Sequence, residues 1–418
     1  QRSTSVIIFD DQPIAYYPLA LTRSTGDLRC GILKLRQRLQ ALIDDSEESI
    51  WIEDRLLALY RERHPDWNIN QPAKAGELLV NSCLIPSAEN IAMIKAIQPG
   101  EAIYEHDRLV ASRPASPLPH LCQAKERQRR GIGGVKEAEG KGMLFRHLAD
   151  LVHASPELIR QDFEQFFYDK DNAFETEPGV TVLDPYSVWI AEDVTLKPGV
   201  VLDASGGPIV IDEGAVVMPN AVLMGPCYIG KKSQIKIGAK IYPGTSIGPV
   251  CKIGGEVEDS IFQAYSNKQH DGFLGHSFVG EWVNLGADTN NSDLKNTYAN
   301  VDFYSYEAGQ KIDSGSMFMG CVIGDHSKLG INCSINTGTV IGVGANLWGS
   351  PLIDGFIPDL SWGMANDLKS YRVPAFLWTA NLVKERRNLQ LGKAERELYL
   401  EIARSRQDLA ASKTSNGV

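Results

Sequence analysis

A hydrophobic repeat with a period of six constrains this chain more than any other feature. Steps of six from Ile211 land on Val217, Leu223, Ile229, Ile235, Ile241, Ile247 and Ile253. The residue two places before each is small: Ala215, Ala221, Cys227, Ser233, Ala239, Thr245 and Cys251. Upstream, Ile190, Leu196 and Leu202 keep the step until Ser205-Gly206-Gly207-Pro208 shifts the frame. Downstream, Ile323, Leu329, Ile335, Ile341, Leu347 and Ile353 resume it. Six matches neither the period of a helix nor that of a lone half-buried strand. It fits a solenoid in which one flat side takes six residues and three sides close a coil. The aliphatic residue points inward onto its equivalent one coil away, and the small residue fits the corner. Residues from about Val182 to Ile353 therefore predict a left-handed parallel β-helix, a scaffold expected to assemble as a homotrimer.

The repeat also accounts for most of the cysteines. Cys227, Cys251, Cys321 and Cys333 occupy the small corner position, so packing explains them before nucleophilic or ligand chemistry does. The seven cysteines contain no CxxC pair, which favours reduced thiols and a cytoplasmic protein. The net charge of −10 argues against nucleic acid or an anionic membrane as partner. No apolar run reaches the roughly 18 residues of a membrane span. The opening segment, with Val6–Phe9 closed by Asp10-Asp11, reads as a buried strand rather than a signal peptide.

Between Ile253 and Ile323 the repeat breaks, and departures from a local rule often mark function. Ile261 restarts the step two residues late, followed by Asn267, Phe273, Val279 and Leu285. The pattern then lapses through Asp288–Lys295 into a hairpin with strands near Val301–Tyr304 and Lys311–Asp313. The histidines, asparagines and lysines of this region do not suit a coil interior and are expected to point outward.

The stretch Ser266–Asp293, with Asn284-Leu285-Gly286-Ala287-Asp288-Thr289-Asn290-Asn291, resembles the acetyltransferase half of the bifunctional GlmU-type family. That family combines glucosamine-1-phosphate N-acetyltransferase and N-acetylglucosamine-1-phosphate uridyltransferase activities. Phe9-Asp10-Asp11 and Pro18–Leu33 extend the resemblance to the front of the chain, toward a divergent branch with a shortened N-terminal half. The resemblance implies His270 as catalytic base and Asn284 as a ligand-binding asparagine. Lys240, Lys268 and Lys295 become candidates for holding a sugar phosphate, with Asn290 and Asn291 in the asparagine-rich loop. Tyr242 stands where the family has an arginine and Glu258 where it has a lysine, two departures at the phosphate site. Ile331, Asn332 and Gly349 match positions along the family's acetyl-CoA groove between subunits, Ile331 replacing a serine. The chemistry suits an imidazole, since N-acetylation needs a neutral amine and a pKa near 6.5 lets histidine take the ammonium proton.

Residues 1 to about 175 mix strand signals (Val6–Phe9, Glu77–Val80) with helix signals (Cys30–Ile43, Arg55–Arg63), which predicts an α/β domain. Asp10 and Asp11 fall at the carboxyl end of the first strand, where open α/β sheets bind ligands. Arg23, Arg29 and Lys34 are candidates for gripping a triphosphate, or equally surface charges. Two departures weigh against nucleotidyl transfer: the family's glycine-rich phosphate loop has no counterpart, and Asn81 stands where the family's Mg²⁺-binding aspartate is expected. The basic run Lys125–Gly142 reads as a mobile loop. A third segment, 363–418, should hold one long amphipathic helix near Thr379–Ala411 and a disordered tail after Ser412.

The expected protein has a nucleotidyltransferase-like α/β domain (1–175), a β-helix acyltransferase domain (176–362) and a helical extension. Its expected function lies in nucleotide-sugar synthesis. Acetyl would pass from acetyl-CoA to an amino-sugar 1-phosphate, and a nucleotidyl group from UTP or dTTP to a sugar 1-phosphate with Mg²⁺, whose ligands stay open. Two rivals remain. One is a zinc hydratase of the γ-carbonic-anhydrase type using His270, His276 and His326. The other is a non-catalytic sugar-nucleotide binder, favoured for the N-terminal half by the missing glycine loop.

Overall fold

The computed structural model describes residues 5–43, 47–121, 136–168, 172 and 174–415. They form two compact units. One comprises Gln1–Leu28, Leu33–His147 and Lys393–Leu398; the other comprises Arg29–Ile32, Leu148–Gly392 and Tyr399–Val418. The α/β unit thus ends at His147 rather than near 175, and the segment after 362 forms no unit of its own. Most of the basic run Lys125–Gly142 lies outside the described residues. No helix among those described is long and apolar enough to cross a membrane.

The second unit is a parallel β-helix with ten-, nine- and six-stranded faces. Ile211, Ile229 and Ile247 stack in register, as do Val217, Ile235 and Ile253, and Leu202, Leu223 and Ile241. All of these are buried in one continuous core. Burial of each such side chain contributes roughly 1.5–3 kcal/mol. Cys227, Cys251, Cys321 and Cys333 are buried at their corners, and burial raises their thiol pKa, to about 12 for Cys227.

The irregular region departs from the expected register. Ile247 pairs with Phe262 and Ile253 with Lys268, a coil three residues shorter than the regular ones. The inward residues are therefore Phe262, Lys268 and Leu274, not Ile261, Asn267 and Phe273. Lys268 contradicts the expectation that polar residues here point outward. Its side chain is buried, and its Nζ donates to the carbonyls of Gly254 and His270, both at 2.9 Å. Asn291 also turns inward, accepting from the Gly275 amide and donating to the Gly275 carbonyl and Ser277 Oγ. The next coil carries the insertion with the hairpin Asp302–Ser305/Gln310–Asp313, after which Val279 and Leu285 stack on Ile323 and Leu329.

Helices cover two of the faces. Leu148–Phe166 packs on strands Cys227–Ile229 and Thr245–Ile247 of the nine-stranded face. In place of one long C-terminal helix there are two, Val373–Glu385 and Lys393–Ser415. The break falls where Asn388 takes a positive φ of 56° and the Leu389 amide turns back to the Lys384 carbonyl at 3.1 Å. The second helix extends to Ser415, through residues expected to be disordered.

The α/β unit has a seven-stranded sheet. From one edge it runs Asn68–Ile69, Ser49–Trp51, Val6–Phe9, Leu78–Asn81, Arg108–Arg113, Glu101–Glu105, Lys136–Glu139. The first four strands are parallel, and Val6–Phe9 lies between Ser49–Trp51 and Leu78–Asn81. Connections leave the first strand toward both sides, so its carboxyl end is a topological switch point.

Lys268 offers a test of the short coil. Burial, only partly opposed by Asp271 and Glu256, lowers its pKa from the usual 10.5 to about 8. The unfolded chain keeps that proton longer, so wild-type stability rises between pH 8 and 10.5. Lys268→Met should therefore be more stable than wild type at pH 7, by about 1–3 kcal/mol. Chemical denaturation at pH 7 and pH 10 should show that advantage shrinking at the higher pH.

Candidate functional site

A polar row runs along the ten-stranded face. Gln234, Lys252, Asn267, Asn284, Lys328 and Asn346 are neighbours in successive coils. Each precedes an inward residue, so strand alternation turns it outward. At the adjoining corner the rings of Tyr265, Trp282 and His326 stack, with centroids 4.4 and 6.0 Å apart. The helix Val373–Glu385 sets Phe376 edge-on against His326 and the Lys384 ammonium 5.5 Å from the Trp282 ring centroid.

Together these elements enclose a cavity of about 260 Å³. Its wall includes Asn267, Gln269 and Asn284, the Tyr265 and Trp282 rings, and four cations: Lys252, Lys328, Arg386 and Arg387. None of the lining residues is acidic. Burial lowers the Lys328 pKa to about 7, although Asp325 opposes this, and its Nζ donates to the Trp282 and His326 carbonyls. Lys252 is lowered by burial first and then by Arg387, Lys236 and Arg386. Like charges crowd this wall, and an anion would relieve them.

His270 sits exposed on the bend that follows Asn267–Lys268, next to the cavity residue Gln269. His276 occupies the following corner and is engaged at both nitrogens. Nδ1 lies 2.8 Å from an Asp293 carboxylate oxygen and Nε2 lies 3.4 Å from one of Asp259. Burial opposes its charge, but the Asp293 hydrogen bond and the charges of Asp259 and Asp293 prevail and raise its pKa. With both nitrogens turned to carboxylates, the ring has none left for a substrate, and His276 is a clasp between coils. His326 lies buried at yet another corner. The three histidines thus cannot share one ion, and among the described residues no group of His, Cys, Asp and Glu is arranged for a metal.

At the switch point of the α/β unit the carboxylates are already engaged. Asp10 accepts from the amides of Thr25 (3.0 Å) and Gly26 (3.2 Å) and from Ser82 Oγ (2.8 Å). Asp11 holds Arg108 through both oxygens, at 2.7 and 2.9 Å. The Asn81 amide donates to the Leu109 carbonyl and its oxygen accepts from the Cys83 amide. Turn amides that suit a phosphate thus carry a carboxylate of the chain itself. This donor set does not fit a Mg²⁺ site, which needs open carboxylate oxygens.

Residues 6–170 match the sugar nucleotidyl transferase family. The bifunctional protein GlmU of Bartonella quintana (strain Toulouse) is 27% identical over 198 residues, 46% of this chain and 40% of that protein. GlmU of Anaplasma marginale (strain Florida) is 26% identical over 238 residues, 54% of this chain and 50% of that protein. Over these segments the chain is similar to GlmU proteins. It spans half or less of the length of these relatives. Among solved structures, a UDP-N-acetylglucosamine acyltransferase from Campylobacter jejuni matches 53% of this chain and 81% of its own. That likeness, at 13% identity and a TM-score of 0.33, carries no weight.

In this chain the expected site residues are distributed unevenly. Asn284 lines the cavity, and His270 follows its lining residue Gln269 in sequence. Ile331 and Gly349 follow their inward residues by two places, as His270 follows Lys268, so the three share one edge, with the coil of Ala287 between His270 and Ile331. Ile331 is 66% exposed there, with Asn332 beside it at a positive φ of 54°. Lys240 and Tyr242 lie instead on the six-stranded face, Lys240 opposite Glu256. Asn290 accepts from the Phe273 amide, and Lys295 donates to the Asn300 carbonyl. Lys268 and Asn291 are turned inward, which removes their side chains from any surface phosphate site. In the α/β unit Arg23 donates to the Leu19 carbonyl, and Lys34 lies 3.9 Å from Asp27. Arg29 belongs to the β-helix unit, where it donates to the Ile32 carbonyl and faces the Tyr228 ring. The cavity cations escaped sequence reading. Lys252 and Lys328 hold an outward hexad position that tolerates any polar residue, and Arg386-Arg387 belong to no motif.

His276→Gln should lower stability by about 1.5–3 kcal/mol at pH 6, the range for a charged hydrogen bond. Because the folded pKa is raised, the wild-type advantage is full below pH 6.5 and fades as pH climbs through the folded value. Thermal melts from pH 6 to 9 should show the gap closing.

Proposed function

We propose that this chain is a transferase of nucleotide-sugar biosynthesis whose β-helix moves acetyl from acetyl-CoA to a phosphorylated amino sugar. The observation that carries this reading is the basic cavity, without an acidic lining residue, that has Asn284 in its wall and Gln269, the neighbour of His270, beside it. In an acidic protein, Lys252, Arg386 and Arg387, with Lys328 partly charged at neutral pH, favour an anionic substrate in one cavity. The GlmU-like relatives and the sugar nucleotidyl transferase match support the same class of chemistry.

In the proposed reaction Asn284 orients the acceptor and His270 takes a proton from its ammonium. The neutral amine attacks the thioester carbonyl, the new C–N bond forms, the C–S bond breaks, and CoA leaves as the thiol. The edge carrying Ile331, Asn332 and Gly349 gives the acetyl-CoA arm a path that ends at His270. Assembly as a homotrimer would set a neighbouring subunit against that edge. Nucleotidyl transfer from UTP or dTTP to a sugar 1-phosphate is the corresponding proposal for the α/β unit. Asp10 and Asp11 are already satisfied by donors of the chain itself and do not fit Mg²⁺.

Incubation with acetyl-CoA and glucosamine 1-phosphate, or another amino sugar bearing phosphate, should release CoA. His270→Ala should slow that release by about 10²- to 10⁴-fold, the usual contribution of a positioned base. Undiminished turnover in the variant would remove His270 from the mechanism, and no CoA release by wild type would remove acetyl transfer. Pyrophosphate release from UTP or dTTP with a sugar 1-phosphate, followed separately, tests the α/β unit.

A further inference from the structure

The cavity on the ten-stranded face has more cationic character than one phosphate monoester calls for. Lys252, Lys328, Arg386 and Arg387 line it with no acidic neighbour in the wall. Tyr265, backed at 4.4 Å by the buried Trp282 ring, adds an aromatic wall suited to a planar ring. Two guanidinium groups adjacent in sequence suit the oxygens of neighbouring phosphates, since each can hold a pair of them in a planar fork. On the six-stranded face the opposite holds. Lys240 is paired across the coils with Glu256, and the strand continues to Glu258, so acidic groups interrupt that surface.

Resting on the acetyl-transfer reading, we propose that the acceptor is an amino sugar carried on a nucleoside diphosphate. Its diphosphate binds Lys252, Lys328, Arg386 and Arg387, and its base lies against the outer face of Tyr265. About 260 Å³ accommodates the diphosphate and part of the nucleoside, and leaves the sugar to extend past Asn284 toward His270. Neutralising the crowded cations drives binding, which makes affinity fall with ionic strength.

Titration calorimetry on the full chain, without acetyl-CoA, tests this with UDP, dTDP, UMP and inorganic phosphate. One of the two diphosphates should bind at least tenfold more tightly than UMP and far more tightly than phosphate. Lys252→Gln and Arg387→Gln should each weaken that binding about tenfold with unchanged melting temperature, whereas Lys197→Gln, an exposed change in an early coil, should leave it intact. Equal affinity for diphosphate, UMP and phosphate, or unaltered binding in both variants, overturns the proposal. So does CoA that competes with UDP and loses affinity in the same variants, since the cavity would then belong to the acetyl donor. Turnover separates the two readings. CoA release with glucosamine 1-phosphate but no diphosphate binding leaves acetyl transfer standing and removes this inference. Diphosphate binding with no CoA release from any acceptor, UDP-glucosamine included, removes acetyl transfer and leaves the nucleotide site.

Discussion

The β-helix unit depends on one interaction, the stacking of a single aliphatic side chain per six residues on its equivalent in the next coil. Each coil alone would expose its apolar side and its backbone hydrogen-bonding groups. Stacked coils bury the first and pair the second, so every coil stabilises its neighbours. With Ile211, Ile229 and Ile247 in register, the outward residues of those strands also fall into rows. Functional side chains more than a dozen residues apart become neighbours because their inward companions stack.

The irregular coils show how such a scaffold departs locally from its own rule. Shortening one coil by three residues puts Lys268 where an aliphatic residue is expected, and backbone carbonyls bind its ammonium. The same change brings Asn267 and Asn284 into one row with Lys252 and Lys328. A buried lysine and the His276 clasp lie on either side of the exposed His270 in sequence. Polar groups fully satisfied in the interior favour one arrangement over slipped alternatives. His270, by contrast, keeps its ring free of such a clamp in the described contacts, as a proton acceptor requires.

The α/β unit solves a different problem at its switch point. The Thr25 and Gly26 amides bind Asp10, and Arg108 neutralises Asp11, so the site is internally compensated. That arrangement explains why a chain lacking a glycine-rich phosphate loop folds stably, and why its strand ends offer little to a metal ion.

The solenoid, its corner cysteines, the hairpin and the α/β character of the first unit were legible in the sequence, because each rests on a local period or a turn that short-range sterics enforce. His270 and Asn284 lie where the period fails, but only the resemblance to the GlmU-type family singled them out. Tertiary structure alone decided which residues of the broken region face inward, since one shortened coil exchanges the roles of Ile261 and Phe262 and of Asn267 and Lys268. It also decided that Arg386 and Arg387, a hundred residues from Asn284, close the wall around it. Their placement follows from where the chain turns between two helices, a long-range packing outcome that no periodicity in the sequence encodes.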